Sequence, residues 1–255
     1  MTKKSNVPAL ERSLDIINLI EISNEGLSFM ELSEKAKIPK PSLSRILTIL
    51  QDKKYLKQEN KIYKLGTKLI SLGTRSLSLL SLRESARPYL EELLKNTGET
   101  IELYLWENKE LIVIEKLESQ NSIRLFAQVG NVLKNYHANA PGKVVMSCLS
   151  DSELDTLIKQ YPLTKDTPYT ITNPEKLRKE LKNVRLEKTA YDFQERRLEV
   201  SRIAAPVFEH NGKFTSVVAV AGPYYRINNE NKNKLRTLVR LTAKKVSSQL
   251  GFNNY

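Results

Sequence analysis

The chain has one cysteine, two histidines and one tryptophan in 255 residues. Cys148 alone cannot close a disulfide within the chain, and the same count excludes a two-cysteine metal site. On the segment after Gly142-Lys143, that cysteine reads as a small buried apolar residue. His137 and His210 are too far apart to form a spaced metal site. Neither lies near a G-x-S-x-G elbow, and the chain has no Walker loop or dinucleotide fingerprint. No catalytic residue, metal or cofactor is therefore expected, and the chain does not read as an enzyme. No apolar run reaches the roughly 18 residues of a membrane span. The first residues, Met1 to Pro8, lack the apolar core of a signal peptide. A reducing cytoplasm is the expected compartment, with no membrane partner.

Acidic residues are also scarce relative to basic ones: 29 against 41, a net charge of +12. Such an excess attracts polyanions, nucleic acid foremost, although lysine-rich surfaces are often only solubilising. Its placement is more informative. Residues 35–68 hold 10 basic and 2 acidic side chains, so the excess is concentrated in one short window.

The pattern along the chain starts with a helix over Leu10 to Ile22, with Leu10, Leu14, Ile17 and Ile20 near helical spacing and Gly26 as its stop. Ser28 and Glu31 have the spacing of a capping box for a second helix, with Leu32 and Ala36 inward. Pro41 suits the first turn of a third helix, whose buried stripe is Leu43, Ile46, Leu47 and Leu50. Two short alternating runs, Tyr55–Gln58 and Ile62–Leu65, flank a turn at Glu59-Asn60-Lys61. Helix, helix, turn, helix, hairpin is the order of a winged helix-turn-helix. A Leu- and Ser-rich helical connector follows, then a helix over Arg83 to Asn96. Strands are predicted over Thr100–Trp106, Leu111–Leu117, Ile123–Ala127, Ile203–Glu209 and Phe214–Ala221. Helices are predicted over Pro141–Leu149, Ser152–Tyr161, Asn173–Glu187 and Asn228–Leu250. Hairpin-linked strands mixed with helices imply an α+β domain with an antiparallel sheet.

In a winged helix-turn-helix the third helix enters the major groove with its N-terminal residues at base edges and phosphates. Lys40, Ser42, Ser44 and Arg45 open that helix. Arg45 can donate two hydrogen bonds to a guanine edge, and Lys61 and Lys64 on the wing suit the phosphate backbone. Three other readings compete: a small helical bundle with a solvated basic face, a single-stranded RNA reader, and a sensor whose head only dimerises. RNA readers interleave aromatics with basic residues, whereas Phe29 falls on an inner helix face and Tyr55 and Tyr63 flank the wing. Double-stranded operator DNA is the expected partner.

These segments together resemble the IclR family of bacterial transcription regulators. The resemblance runs from about Ser13 to Gly251. Residues 13–20 look like the family's first helix. Residues 38–45, IPKPSLSR, are similar to its LPKSTVHR recognition segment. Residues 63–66, YKLG, match its Y-x-L-G wing exit. Residues 82–90 followed by 97–100 resemble the start of its effector domain, and residues 137–143, HANAPGK, resemble its HATALGK loop. Residues 204–207, AAPV, and 221–223, AGP, complete the series. The resemblance implies a winged helix-turn-helix domain over 1–66, a helical linker over 67–82 and a GAF-like effector-binding domain over 83–255. It also implies homodimers that can pair into tetramers, and a repressor or activator controlled by a small organic-acid effector. By position it places His137, Ala138, Asp192, Arg202, Ala219 and Ala221 at the effector pocket. Asp192 matches the family's pocket acid. Arg202 stands where the family often has cysteine, and Ala219 and Ala221 stand where some members have ligand-binding serines. An arginine entering an apolar strand needs an anionic partner. Arg202 can meet a ligand carboxylate, or an internal one such as Asp192 or Glu195.

Overall fold

The computed structural model describes residues 7–23, 25–78, 81–122 and 128–255. The chain divides into two compact units, residues 1–79 and 80–255.

The first unit begins with α1 (Pro8–Ile22), whose apolar residues fall on two faces. Ile16 and Ile20, one turn apart, are buried, whereas Leu10 and Leu14 are 58% and 52% exposed. Of the predicted stripe Leu10, Leu14, Ile17 and Ile20, Ile20 is buried and Ile17 packs on the core, whereas Leu10 and Leu14 turn outward. At 100° per residue these two sit well around the helix from Ile16 and Ile20, and the unit's core takes the second pair. Gly26 does not end α1, which stops at Ile22. With φ +88°, Gly26 instead lies where an added Cβ would be 2.5 Å from the Tyr63 carbonyl oxygen. Only glycine lets the chain come that close while holding a left-handed φ. This approach lets β1 (Leu27–Ser28), a strand too short to show a pattern, pair with the wing.

α2 (Phe29–Ala36) carries the predicted capping box: Ser28 Oγ accepts from Glu31 N at 3.3 Å and Ser28 N donates to Glu31 Oε2 at 2.8 Å. α3 (Lys40–Asp52) buries Leu43, Ile46, Leu47 and Leu50, the stripe expected from spacing. Each fully buried aliphatic side chain contributes about 1.5–3 kcal/mol, enough for this face to orient the helix. β2 (Leu56–Glu59) and β3 (Ile62–Leu65) form the wing, and the sheet order is β1-β3-β2. Tyr63 is buried, and Phe29 and Tyr55 pack half-buried on the same core. α4 (Thr67–Ser78) closes the unit.

The second unit begins with α5 (Ser81–Thr97), followed by β4 (Thr100–Glu107) and β5 (Glu110–Leu117). Asn108 and Lys109, both at positive φ, make the turn between these strands. β6 (Val132–Leu133) leads to a 3₁₀ turn (Tyr136–Ala138), α6 (Ala140–Cys148), α7 (Asp151–Gln160) and α8 (Pro174–Glu187). β7 (Ala190–Phe193), β8 (Val200–Phe208), β9 (Phe214–Pro223) and α9 (Lys232–Gln249) complete the unit. The sheet is antiparallel, in the order β6-β5-β4-β9-β8-β7. α6 and α8 pack on one face, and α5 and α9 lie against the strands and each other. The central strands are therefore buried on both sides. The fold class expected from the sequence, α+β with a winged helix-turn-helix head and an antiparallel sheet, is the one observed.

Several details depart from the predicted pattern. α9 starts at Lys232 rather than Asn228, because the Asn228 N–H donates to Asn231 Oδ1 at 3.1 Å and holds residues 228–231 in a turn. β8 starts at Val200, which places Arg202 inside the strand with β7 on one side and β9 on the other. Cys148 is half-buried rather than buried; burial pushes its thiol up to about 11, so it stays protonated. The predicted strand at Ile123–Ala127 lies outside the described residues.

Candidate DNA-reading head and effector cavity

α3 has Pro39 at its N-cap, which offers no side chain to the first N–H groups. The positive end of the helix is thus not satisfied by a capping side chain. Lys40, Ser44 and Arg45 are exposed there, and Ser42 is half-buried. Ser44, Arg45 and Thr48 share the face opposite the buried stripe.

On the wing, Asn60 and Lys61 hold the turn at φ +50° and +66°, and Lys61 projects at the tip. Lys57 and Lys64 face each other across the strands, and Glu59 answers both. Its carboxylate accepts from Lys57 Nζ at 2.8 Å and Lys64 Nζ at 3.1 Å. Those hydrogen bonds hold the Glu59 carboxyl below the usual carboxylate range. Lys64 is therefore partly engaged within the wing, whereas Lys61 forms no ion pair with a described residue. Lys57, not singled out from the sequence, belongs to the same basic edge.

In the second unit the six residues placed at the pocket by resemblance fall in two places. Arg202 borders a cavity of about 350 Å3, together with Tyr104, Lys134, Asn139, Arg196 and Arg197 among others. His137, Ala138, Asp192, Ala219 and Ala221 are buried and are not among the residues that line it. The register explains how Arg202 is held. On β9, Ala221 pairs with Arg202 of β8 and Thr100 of β4, and Ala219 pairs with Ala204 of β8 and Glu102 of β4. Arg202 and Glu102 therefore stand two strands apart, on the same side of the sheet as both alanines. Their side chains meet over β9, with Arg202 Nε donating to Glu102 Oε2 at 3.2 Å. The Tyr104 hydroxyl donates to the same oxygen at 2.6 Å. Asp192 Oδ2 lies 4.0 Å from Arg202 Nη1, beyond hydrogen-bond reach. Burial disfavours the arginine's charge, but Glu102, Tyr104 and Asp192 outweigh it and raise its pKa. Of the two partners left open by the sequence, the internal carboxylate is present, and it is chiefly Glu102. Glu195 pairs elsewhere.

The loop before α6 is fixed by its own side chains. Asn139 Oδ1 accepts from Gly142 N at 2.7 Å, and its amide donates to the Asn135 carbonyl at 2.8 Å. An added Cβ on Gly142 would lie 2.3 Å from the Tyr136 carbonyl oxygen, so only glycine fits. His137 Nε2 donates to the Thr164 carbonyl at 2.9 Å, which assigns the proton to Nε2 in the neutral ring. Burial lowers the His137 pKa. Lys143, buried on α6, donates to Glu195 Oε1 at 2.5 Å and to the Tyr191 carbonyl at 3.0 Å. Burial pushes the Glu195 carboxyl up to about 7 against the pull of Lys143. Burial likewise raises the Asp192 carboxyl, although Arg202 and the Glu195 N–H oppose it. His210 is exposed in its hairpin turn. Among the described residues, no three His, Cys, Asp or Glu side chains gather as a metal site, and no helix is long and apolar enough to cross a membrane.

A winged helix-turn-helix on one unit and an α+β unit with a basic cavity on the other make the architecture of a helix-turn-helix regulator. Residues 9–60 match the IclR helix-turn-helix domain, and residues 74–248 match the bacterial transcriptional regulator IclR C-terminal domain. The chain belongs to the IclR family of transcription regulators. It is 32% identical to the uncharacterized HTH-type transcriptional regulator RhmR of Escherichia coli strain K12, over 100% of this chain and 97% of that protein. It is 25% identical to the transcriptional repressor IclR of the same strain, over 96% and 90% of the two chains. An IclR homologue from Microbacterium hydrocarbonoxydans, solved in complex with 4-hydroxybenzoate, shares the fold with a TM-score of 0.79. That likeness is at 20% identity and covers 95% of this chain and 98% of the homologue.

Proposed function

We propose that the protein is an effector-controlled repressor acting from the cytoplasm. A dimer, able to pair into a tetramer, presents two copies of α3 to a pseudo-palindromic operator. Arg45 reads a base edge, Lys40, Ser42 and Ser44 seat phosphates at the helix end, and Lys61 and Lys64 hold the backbone from the wing. Residues 1–66 serve as the reading head, 67–82 as the helical linker and 83–255 as the effector domain. A small organic acid bound in the second unit shifts the heads through the linker. It does so only to the extent that it binds the DNA-competent and DNA-incompetent arrangements unequally. A difference of about 1.4 kcal/mol changes operator affinity about tenfold. His137, Ala138, Asp192, Ala219 and Ala221 act here as the buried frame of the effector site, and Arg202 as its charged wall.

The observation that carries this reading is a basic cavity, lined in part by Arg202, in the same chain as an uncapped, basic recognition helix. The named repressor among the relatives favours repression over activation. The test is selection of bound fragments from sheared genomic DNA by the purified protein at about 150 mM salt, where counterion release limits nonspecific binding. Recovery of a few sites sharing an inverted motif is expected. Recovery of unselected DNA, with or without added organic acids, would overturn sequence-specific regulation.

A further inference from the structure

Four cationic side chains, Lys134, Arg196, Arg197 and Arg202, border the cavity, and none of its described lining residues is an aspartate or glutamate. Two of these cations already have a carboxylate. Arg202 is answered by Glu102, and Arg196 Nη1 donates to Asp166 Oδ2 at 2.7 Å. Lys134 and Arg197 make no ion pair with any described residue. Tyr104, Asn131 and Asn139, together with Val113, Val132, Leu133 and Val200, form the rest of the wall. A bound monoanion leaves one of the two cations unmatched, whereas two negative charges match both. At about 350 Å3 the cavity lies at the small end of ligand sites.

We propose that this cavity selects a compact dianion, a small dicarboxylate or a phosphate, held by Lys134 and Arg197 while Arg202, its charge matched by Glu102, forms a fixed polar wall. The inference rests on the cavity being the effector site. The charge on the lip attracts the ligand, and the internal Arg202–Glu102 pair keeps the wall from needing a second counterion. Selectivity then resides in two exposed side chains whose removal leaves the core intact.

The test is calorimetric titration of the full-length protein near neutral pH and at fixed ionic strength with succinate, butyrate and inorganic phosphate. Succinate or phosphate is expected to bind at least about tenfold more tightly than butyrate. The tighter of the two identifies the carboxylate or the phosphate source. In a Lys134→Gln/Arg197→Gln double variant, checked for an unchanged melting curve, that preference is expected to fall to about twofold or less. Three results overturn the proposal: equal binding of butyrate, a preference that survives in the double variant, or no binding of any probe up to about 10 mM. Equal binding of butyrate that still releases operator DNA leaves the regulator reading standing. Dianion selectivity without sequence-specific DNA binding defeats that reading alone.

Discussion

Arg202 and Glu102 meet across an intervening strand, over the methyl groups of Ala219 and Ala221. Neighbouring strands lie about 4.8 Å apart, so the pair spans roughly 10 Å. A long side chain on each outer strand and nearly none on the middle one satisfy that distance. The alanines and the ion pair are thus one arrangement.

Arg202→Ala leaves Glu102 buried without its cation and Asp192 with Lys143 as its remaining cationic neighbour. The expected loss is about 3–5 kcal/mol, as for other broken buried pairs. Urea unfolding measures it, and a loss below about 1 kcal/mol would show that the pair is not structural.

Ala219→Leu fills the space over which the pair closes. Overpacking of this kind costs about 1–3 kcal/mol, and the change is expected to be smaller when Arg202 is already alanine. A double-mutant cycle reads the coupling; strict additivity would separate the alanine from the bridge.

The two wing lysines are expected to behave differently. Lys61→Ala removes an unpaired charge, weakens binding to all DNA and lowers the salt slope by about 0.9. Lys64→Ala removes a charge already shared with Glu59, so its slope changes less. Equal slopes for the two variants, from binding measured across salt concentrations, would contradict this order. Arg45→Ala is expected to relax base preference instead, which competition between matched and mismatched operators detects.

The Glu195 carboxyl gives a pH signature. Burial holds its folded value at about 7, above the ordinary glutamate value of 4.5. The folded state therefore binds this proton more tightly than the unfolded state. The stabilisation is full below 4.5 and declines as pH rises to about 7, by on the order of 1–3 kcal/mol. Glu195→Gln should flatten that interval relative to the parent in urea unfolding at stepped pH. An unchanged slope would place the titration elsewhere.

Features set by local chemistry could be read from the sequence: the Ser28 capping box, the α3 stripe, Asn173 opening α8, and the Asn211-Gly212 turn. Features set by distant pairing could not. β1 has two residues and β7 four, too few for a pattern, and both are defined by their partner strands. α1 misled because it carries two apolar faces and spacing cannot say which one the core takes. Glu102 lies 100 residues from Arg202. The available clue was a glutamate inside the apolar run of β4, matched by an arginine inside that of β8. Each implies a buried opposite charge, but neither says where.

The Asn-Lys pair recurs at two of the hairpin turns, Asn60-Lys61 on the wing and Asn108-Lys109 between β4 and β5, with positive φ at all four residues. A side chain at left-handed φ costs about 1 kcal/mol that glycine avoids. At the second turn, exchanging lysine for glycine relieves that cost and spares every residue proposed to contact DNA. At the wing tip the same exchange also removes the unpaired cation. If Lys61 holds DNA as proposed, selection for a more rigid head and selection for a tighter reader pull it in opposite directions, so a thermally hardened version of this protein is most readily obtained at Asn108-Lys109.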